Sequence, residues 1–179
     1  MAFTKVEKDR GCVHEPLTLC YHGTIRPVTR ESSVVPSARV EAESILGRGT
    51  HPSAVPRSKA VWAVSSIRDA TAIAAIRSHS PSAPIPHAAI HVYQVQLVPF
   101  HTGPVAVIDE LQHRLLAGRG GSLEPLIREY WEPMGTWYLQ EILAASLTVL
   151  KEVPVTTERE VYVRRWVHYN EDCERARSL

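Results

Sequence analysis

A chain of 179 residues with 44% hydrophobic and 22% charged residues has the make-up of one soluble globular domain with room for a core. Its 20 basic and 19 acidic residues nearly cancel, which excludes a whole-domain electrostatic grip on nucleic acid or on an anionic membrane. The three cysteines (Cys12, Cys20 and Cys173) form no C-x-x-C pair and no even framework, so reduced thiols are expected.

Residues 1–16 are a polar lead-in with no secretory apolar region, and no run of 18 apolar residues occurs. The expectation is a cytoplasmic protein, or an effector delivered without a signal peptide, that makes no use of a membrane. Leu17–Tyr21 reads as a short strand that delivers His22 and Gly23 at its end. Pro27 to Pro56 is rich in Ser, Pro, Gly and Arg, with one helix expected at Val40–Leu46 and stopped by Gly47. "KAVWAVSS" (59–66) is an apolar strand ending in two serines. "SIRDATAIAAIRS" (66–78) follows as a helix, with Ser66 as its N-cap and apolar residues at 67, 70, 73, 74 and 76.

"SPSAPIPHA" (80–88) is a proline-rich loop. "AIHVYQVQLVP" (89–99) alternates with the period of a half-buried strand, and Val105–Ile108 reads as another short strand. Helices are expected over 109–118 and 122–131, with a Gly-rich turn between them. The segment 137–155 fits either a strand or a helix, whereas "EREVYVRRWVHY" (158–169) has the β-branched and aromatic content of a strand. Residues 170–179 read as a tail, a short exposed helix or frayed end. The whole is a single α+β domain with long loops at 27–58, 79–88 and 118–136.

Three stretches carry chemistry. In "YHGT" (21–24) an imidazole at a strand end can hydrogen-bond a ligand, and Gly23 lets a ligand approach the backbone; a plain strand-end turn accounts for the same letters. In "VWAVSSIRDATAIAA" (61–75) Trp62 offers a stacking face, and Ser65 and Ser66 stand at a strand-to-helix junction; capping and core packing are the simpler account. In "YLQEILA" (138–144) Glu141 is an isolated carboxylate among apolar residues, either facing solvent or held in a cleft where it can stabilise positive charge.

Taken in order, these stretches resemble the motifs of the ADP-ribosyltransferase superfamily. "LCYHGT" is similar to the first motif of rifamycin-type and tRNA phosphotransferase-type members, "AVWAVSSIRDATAIAA" to the second, and "AIHVYQVQL" to the strand that follows it. "YLQEILA" is similar to the glutamate-bearing motif of the toxin-like branch. The matches lie within residues 17–155 and involve about three dozen positions. They imply a split β-sandwich with flanking helices, and an enzyme that takes NAD as substrate and uses no metal.

By the same resemblance His22 would bind the NAD ribose, with Thr24 beside it, and Gly23 would bind the nicotinamide amide through its backbone. Trp62 would stack near nicotinamide, with Ser65 and Ser66 in support. Arg26 would reach the diphosphate, unless it is a solvated loop charge. Glu141 would hold the ribose 2′-OH and stabilise oxocarbenium-like charge. Trp62 departs from the family's usual Tyr. Rifamycin-type enzymes place their acidic residue earlier in the chain, which points here to Asp109 or Glu110, so three carboxylates stay open as the catalytic one.

The acceptor could be a protein, a nucleic acid or a small molecule, and Trp131, Met134, Trp137 and Tyr138 form either a wall facing it or ordinary core. Alternatives on the same fold are NAD hydrolysis and tRNA 2′-phosphate transfer, the latter at odds with the neutral charge and with the lack of a basic N-terminal domain. A non-catalytic module holding a nucleotide or partner is the alternative of a different class. His87 and His91 lack the helical spacing of a metal pair, "GRGGS" (118–122) lacks the phosphate-loop pattern, and "VYVRRW" reads as an edge strand.

Overall fold

In the computed structural model, which describes residues 17–24, 27–28, 40–47, 49–50, 54–78, 90–118, 121–155 and 159–179, the strand β1 (Thr18–Thr24) runs straight through "YHGT". His22 therefore lies inside a strand and not at its lip, because Thr18 to Thr24 pair without a break with Leu97 to His91. After β1 come the helix α1 (Val40–Leu46), a 3-10 turn (Arg57–Lys59), the strand β2 (Val61–Ala63) and the helix α2 (Ile67–Ser78). Gly47 ends α1 at φ 64, a left-handed position that costs a residue without Cβ little. Ser66 caps α2 as its sequence indicates: its Oγ accepts the Asp69 N–H at 3.1 Å and donates to Asp69 Oδ2 at 2.7 Å. The proline-rich loop at 80–88 lies outside the described residues.

The strand β3 (His91–Pro104) is longer than its alternating pattern indicates. It keeps its pairing with β4 (Gln140–Val153) past Pro99 by shifting register on either side of that residue. Proline has no N–H to give the ladder, so a bulge is the ordinary way to retain it in a central strand. Of the segment 137–155, Gln140–Val153 is thus strand.

Two segments differ from their sequence reading. Val105–Ile108 is not a strand but the first turn of α3 (Val105–Leu116), directly after Pro104. Val107, Ile108 and Leu111 are buried with Leu115 packed beside them, which is a helical stripe, and this burial overrides the local β-branched preference. The segment 158–169 is likewise helical: α5 (Arg159–Arg177) takes in both it and the expected tail. Tyr169, Asp172 and Ala176 are buried and Cys173 is half-buried, so a docking stripe at helical spacing runs from Tyr169 through "NEDCERA". Between α3 and β4 stands α4 (Glu124–Trp131).

The four strands form one antiparallel sheet in the order β1-β3-β4-β2. The sheet curls until its two outer strands meet: Tyr21 and Val64 exchange both backbone hydrogen bonds at 2.8 Å. One face packs under the helices around Trp62, Val64, Val92 and Leu143; the other carries a smaller cluster drawn from all four strands, including Cys20, Ala63, Val95 and Ala144. The architecture is α+β, with a single four-stranded sheet among the described residues. No helix among them is long and apolar enough to cross a membrane.

The start of β4 is pinned by α5. The Asp172 carboxylate accepts the backbone N–H of Tyr138 at 3.1 Å and of buried Leu139 at 2.9 Å. Removing a charged acceptor from buried donors costs about 1–3 kcal/mol. Asp172→Ala should lower the unfolding free energy by that amount, read as a lower urea midpoint with an unchanged urea dependence; an unchanged midpoint would mean that α5 does not anchor β4.

Candidate functional site

The three motif strands meet at one corner of the sheet. β2 pairs with β4 through Val61↔Ala144, Trp62↔Leu143 and Ala63↔Ile142, so Glu141 stands one position beyond the last rung, level with Val64. Val64 is in turn bridged to Tyr21, the neighbour of His22. Past that rung β1 and β2 part, and the His22 side chain takes over where backbone pairing stops. Its Nδ1 donates to the Trp62 carbonyl at 2.8 Å, and the two rings lie 4.5 Å apart. Because a carbonyl only accepts, the neutral imidazole carries its hydrogen on Nδ1.

All three groups are enclosed: His22 is 5% exposed, Trp62 6% and Glu141 0%. Gly23 has a structural duty in the same corner. A Cβ there would lie 2.0 Å from the Ala70 carbonyl oxygen of α2, so the second half of "HG" is what lets β1 and α2 pack backbone to backbone. Thr24 closes β1 opposite His91. Ser65 is exposed and Ser66 is the cap of α2. Arg26 lies outside the described residues.

Glu141 is held by residues that the motif reading did not include. Arg57 Nη2 reaches Glu141 Oε2 at 2.8 Å and Oε1 at 2.9 Å, and Arg57 Nε reaches Oε1 at 3.0 Å. The Tyr130 hydroxyl donates to Glu141 Oε1 at 2.7 Å and accepts from Arg57 Nε at 3.1 Å. Glu43, on α1, meets Arg57 Nη1 at 3.4 Å. None of these four side chains is more than 1% exposed. Burial alone would lower the pKa of Arg57, but Glu141, Tyr130 and Glu43 raise it above its ordinary value and keep it cationic. Burial, with the Glu141 charge, pushes the Tyr130 phenol well above its usual range, so it remains a donor.

The other two candidate carboxylates lie on α3 and face different partners. Asp109 accepts a hydrogen bond from Tyr169 of α5, and Glu110 accepts Arg114 Nε at 2.9 Å, one turn along the same helix. Of the three, Glu141 is the one whose strand carries it to the His22–Trp62 corner. Burial pushes the Cys20 thiol up, away from the thiolate a nucleophile needs. Among the described residues no group of three or more His, Cys, Asp or Glu is placed to hold a metal.

The aromatic residues before Glu141 do not form one wall. Trp137 is buried, with its Nε1 donating to Glu129 at 2.9 Å, and Tyr138 stacks on His168 of α5 at 4.4 Å. Met134 is 89% exposed. Trp131 turns the other way. Its Nε1 donates to the Leu46 carbonyl at 2.7 Å, its ring packs on His101 at 4.6 Å, and a Cβ on Gly49 would lie 2.7 Å from it. There it helps line a cleft of about 540 Å³ with Phe100, His101, Glu124, Arg128 and Glu132.

The sequence holds partial signals for what was missed. Glu43 stands beside Ala42 and three residues before Leu46, on the apolar stripe of α1, which marks it as inward-facing. Arg57 sits in a Ser/Pro-rich run with no periodicity, and nothing local distinguishes it from a solvated loop charge. Comparison with protein-family models, with curated proteins and with solved structures finds no match.

Removing one partner from a buried ion pair costs about 3–5 kcal/mol, whereas replacing both with apolar residues of similar size costs far less. Arg57→Met and Glu141→Leu should each destabilise by that order. The double variant should lose less than the sum by at least about 2 kcal/mol in urea unfolding. Additive losses would show that the pair does not act as a unit.

Proposed function

We propose that this protein is an NAD-consuming enzyme of the ADP-ribosyltransferase kind, with the split-sandwich fold that the motif resemblance implies. It would cleave the nicotinamide–ribose bond and pass ADP-ribose to an acceptor. The observation that carries this reading is the convergence of three separate motifs on one corner, where His22 bonds the Trp62 carbonyl and Glu141 stands one position beyond the Ala63↔Ile142 rung. The sequence order of the motifs does not require that convergence.

In this reading the C–N bond breaks with its electron pair going to the nicotinamide nitrogen, which leaves as a neutral base. Positive charge builds on the ribose C1′ and its ring oxygen. Glu141 supplies the opposing carboxylate, and His22 and Trp62 fix the nicotinamide riboside end. The acceptor's lone pair closes on C1′ and its proton departs to solvent. The chemistry asks for a preorganised anion, not a base of high pKa. Arg57 and Tyr130 suit that requirement, since hydrogen bonds to the ionised carboxylate favour the charged form. Both Glu141 oxygens are bonded to Arg57 here, so substrate must displace part of that clamp to reach the carboxylate.

The test is release of nicotinamide from NAD. Glu141→Gln should lower the rate by roughly 10²–10³-fold, the scale for losing one preorganised electrostatic group, in a protein shown by circular dichroism to be folded. Asp109→Asn should leave it within a few fold. A dead Asp109→Asn beside an active Glu141→Gln would move the carboxylate role to α3. NAD binding with no release under any acceptor would make the protein a nucleotide-binding module.

A further inference from the structure

The cleft beside α4 is separate from the His22–Trp62 corner and has a lining that tells what it would hold. Its aromatic members are Phe100 and His101 from β3 and Trp131 from α4. His101 adds no positive charge: burial lowers its pKa, and its Nε2 donates to the Tyr130 carbonyl at 2.8 Å. The charged members are Glu124, Arg128 and Glu132, which follow one another at four-residue intervals. Glu124 and Arg128 stand about 6 Å apart along the axis of α4, and Glu132 follows as the residue just past its last turn. Glu and Arg at i,i+4 ordinarily pair. Among the described residues, no hydrogen bond or ion pair of their charged side chains joins these three to one another or to another residue; the Glu124 backbone N–H donates to Ser122 Oγ at 3.2 Å.

That pattern discriminates among ligands. Two carboxylates against one guanidinium repel phosphates, so a nucleotide, the NAD diphosphate or a nucleic-acid backbone is disfavoured. A simple anion would meet Arg128 between two like charges. A simple cation would satisfy the carboxylates and the Trp131 face but would be repelled by Arg128. A compact head group carrying both charges answers the whole row, its ammonium on a glutamate and its carboxylate on the arginine. The aromatic lining is then left for a planar or apolar group. A volume of about 540 Å³ is ample for a ligand of that size.

We propose that the cleft formed by Phe100, His101 and Trp131 under the Glu124–Arg128–Glu132 row is a binding site for a small zwitterion with a planar or apolar side chain, of the kind a free α-amino acid represents. The site stands whether or not the NAD reading does.

The experiment is calorimetric titration of the full chain with L-phenylalanine, L-tryptophan and L-leucine, set against L-phenylalaninamide, N-acetyl-L-phenylalanine and AMP. At least one free amino acid should bind saturably. The amide and the N-acetyl form, each missing one charge, should bind at least about tenfold more weakly than phenylalanine, the worth of one charge-assisted hydrogen bond. Arg128→Gln and Glu132→Gln, both exposed, should each weaken the best amino acid by about the same factor and leave circular dichroism and thermal midpoint unchanged. Absence of saturable binding by all three amino acids would overturn the proposal. So would equal binding of the amide, tighter binding of AMP, or affinity indifferent to both rim variants.

Discussion

The buried contact between Arg57 and Glu141 is the constraint around which the rest is arranged. An arginine with no exposed surface is tolerable only if every charge it meets is placed for it, and here four elements do the placing. β4 brings Glu141, α4 brings Tyr130, α1 brings Glu43, and the 3-10 turn before β2 brings Arg57 itself. Pairs of this kind seldom add net stability over an apolar core, but they penalise any arrangement in which one partner is missing. The network ties the start of β4 to the turn that leads into β2.

That tie also sets the chemistry of the corner. β2 is only three residues long, and its last rung with β4 places Glu141 level with Val64. Curling the sheet until Tyr21 meets Val64 brings β1 alongside, and His22 finishes the seam with a side-chain bond where the backbones part. Gly23 is required one residue later because α2 crosses so closely. The "HG" letters thus serve packing in two ways, the imidazole closing the seam to β2 and the glycine admitting α2. On α4, adjacent residues face opposite duties. Tyr130 turns inward to Glu141, while Trp131 turns outward to the cleft, with His101 touching both.

Much of the local structure was legible because its cause is local. Gly47 stops α1 through its own backbone freedom, Ser66 caps α2 through its own hydroxyl, and the alternation of 89–99 belongs to a strand. The errors came where distant packing outweighed local preference. Val105–Ile108 are β-branched or small, yet Pro104 and the stripe continuing to Leu111 make them helical. The letters of 158–169 favour a strand, but the docking residues Tyr169, Asp172 and Ala176 stand at its end and beyond it at helical spacing, and the segment is helical. Glu141 could be singled out as an isolated carboxylate; its partner Arg57 could not, since 84 residues separate them and no pattern in "VPRSKAV" marks an arginine for burial.

The central claim is that the His22–Trp62–Glu141 corner receives NAD. It is tested most directly by nuclear magnetic resonance of the full chain titrated with a non-cleavable NAD analogue, following the Trp62 indole N–H and the His22 ring. The account predicts saturable shifts at both, with one shared dissociation constant, and a loss of the Trp62 shift on His22→Ala. Shifts confined to Trp131 and the α4 cleft, or none at either Trp62 or His22 at saturating analogue, would contradict it.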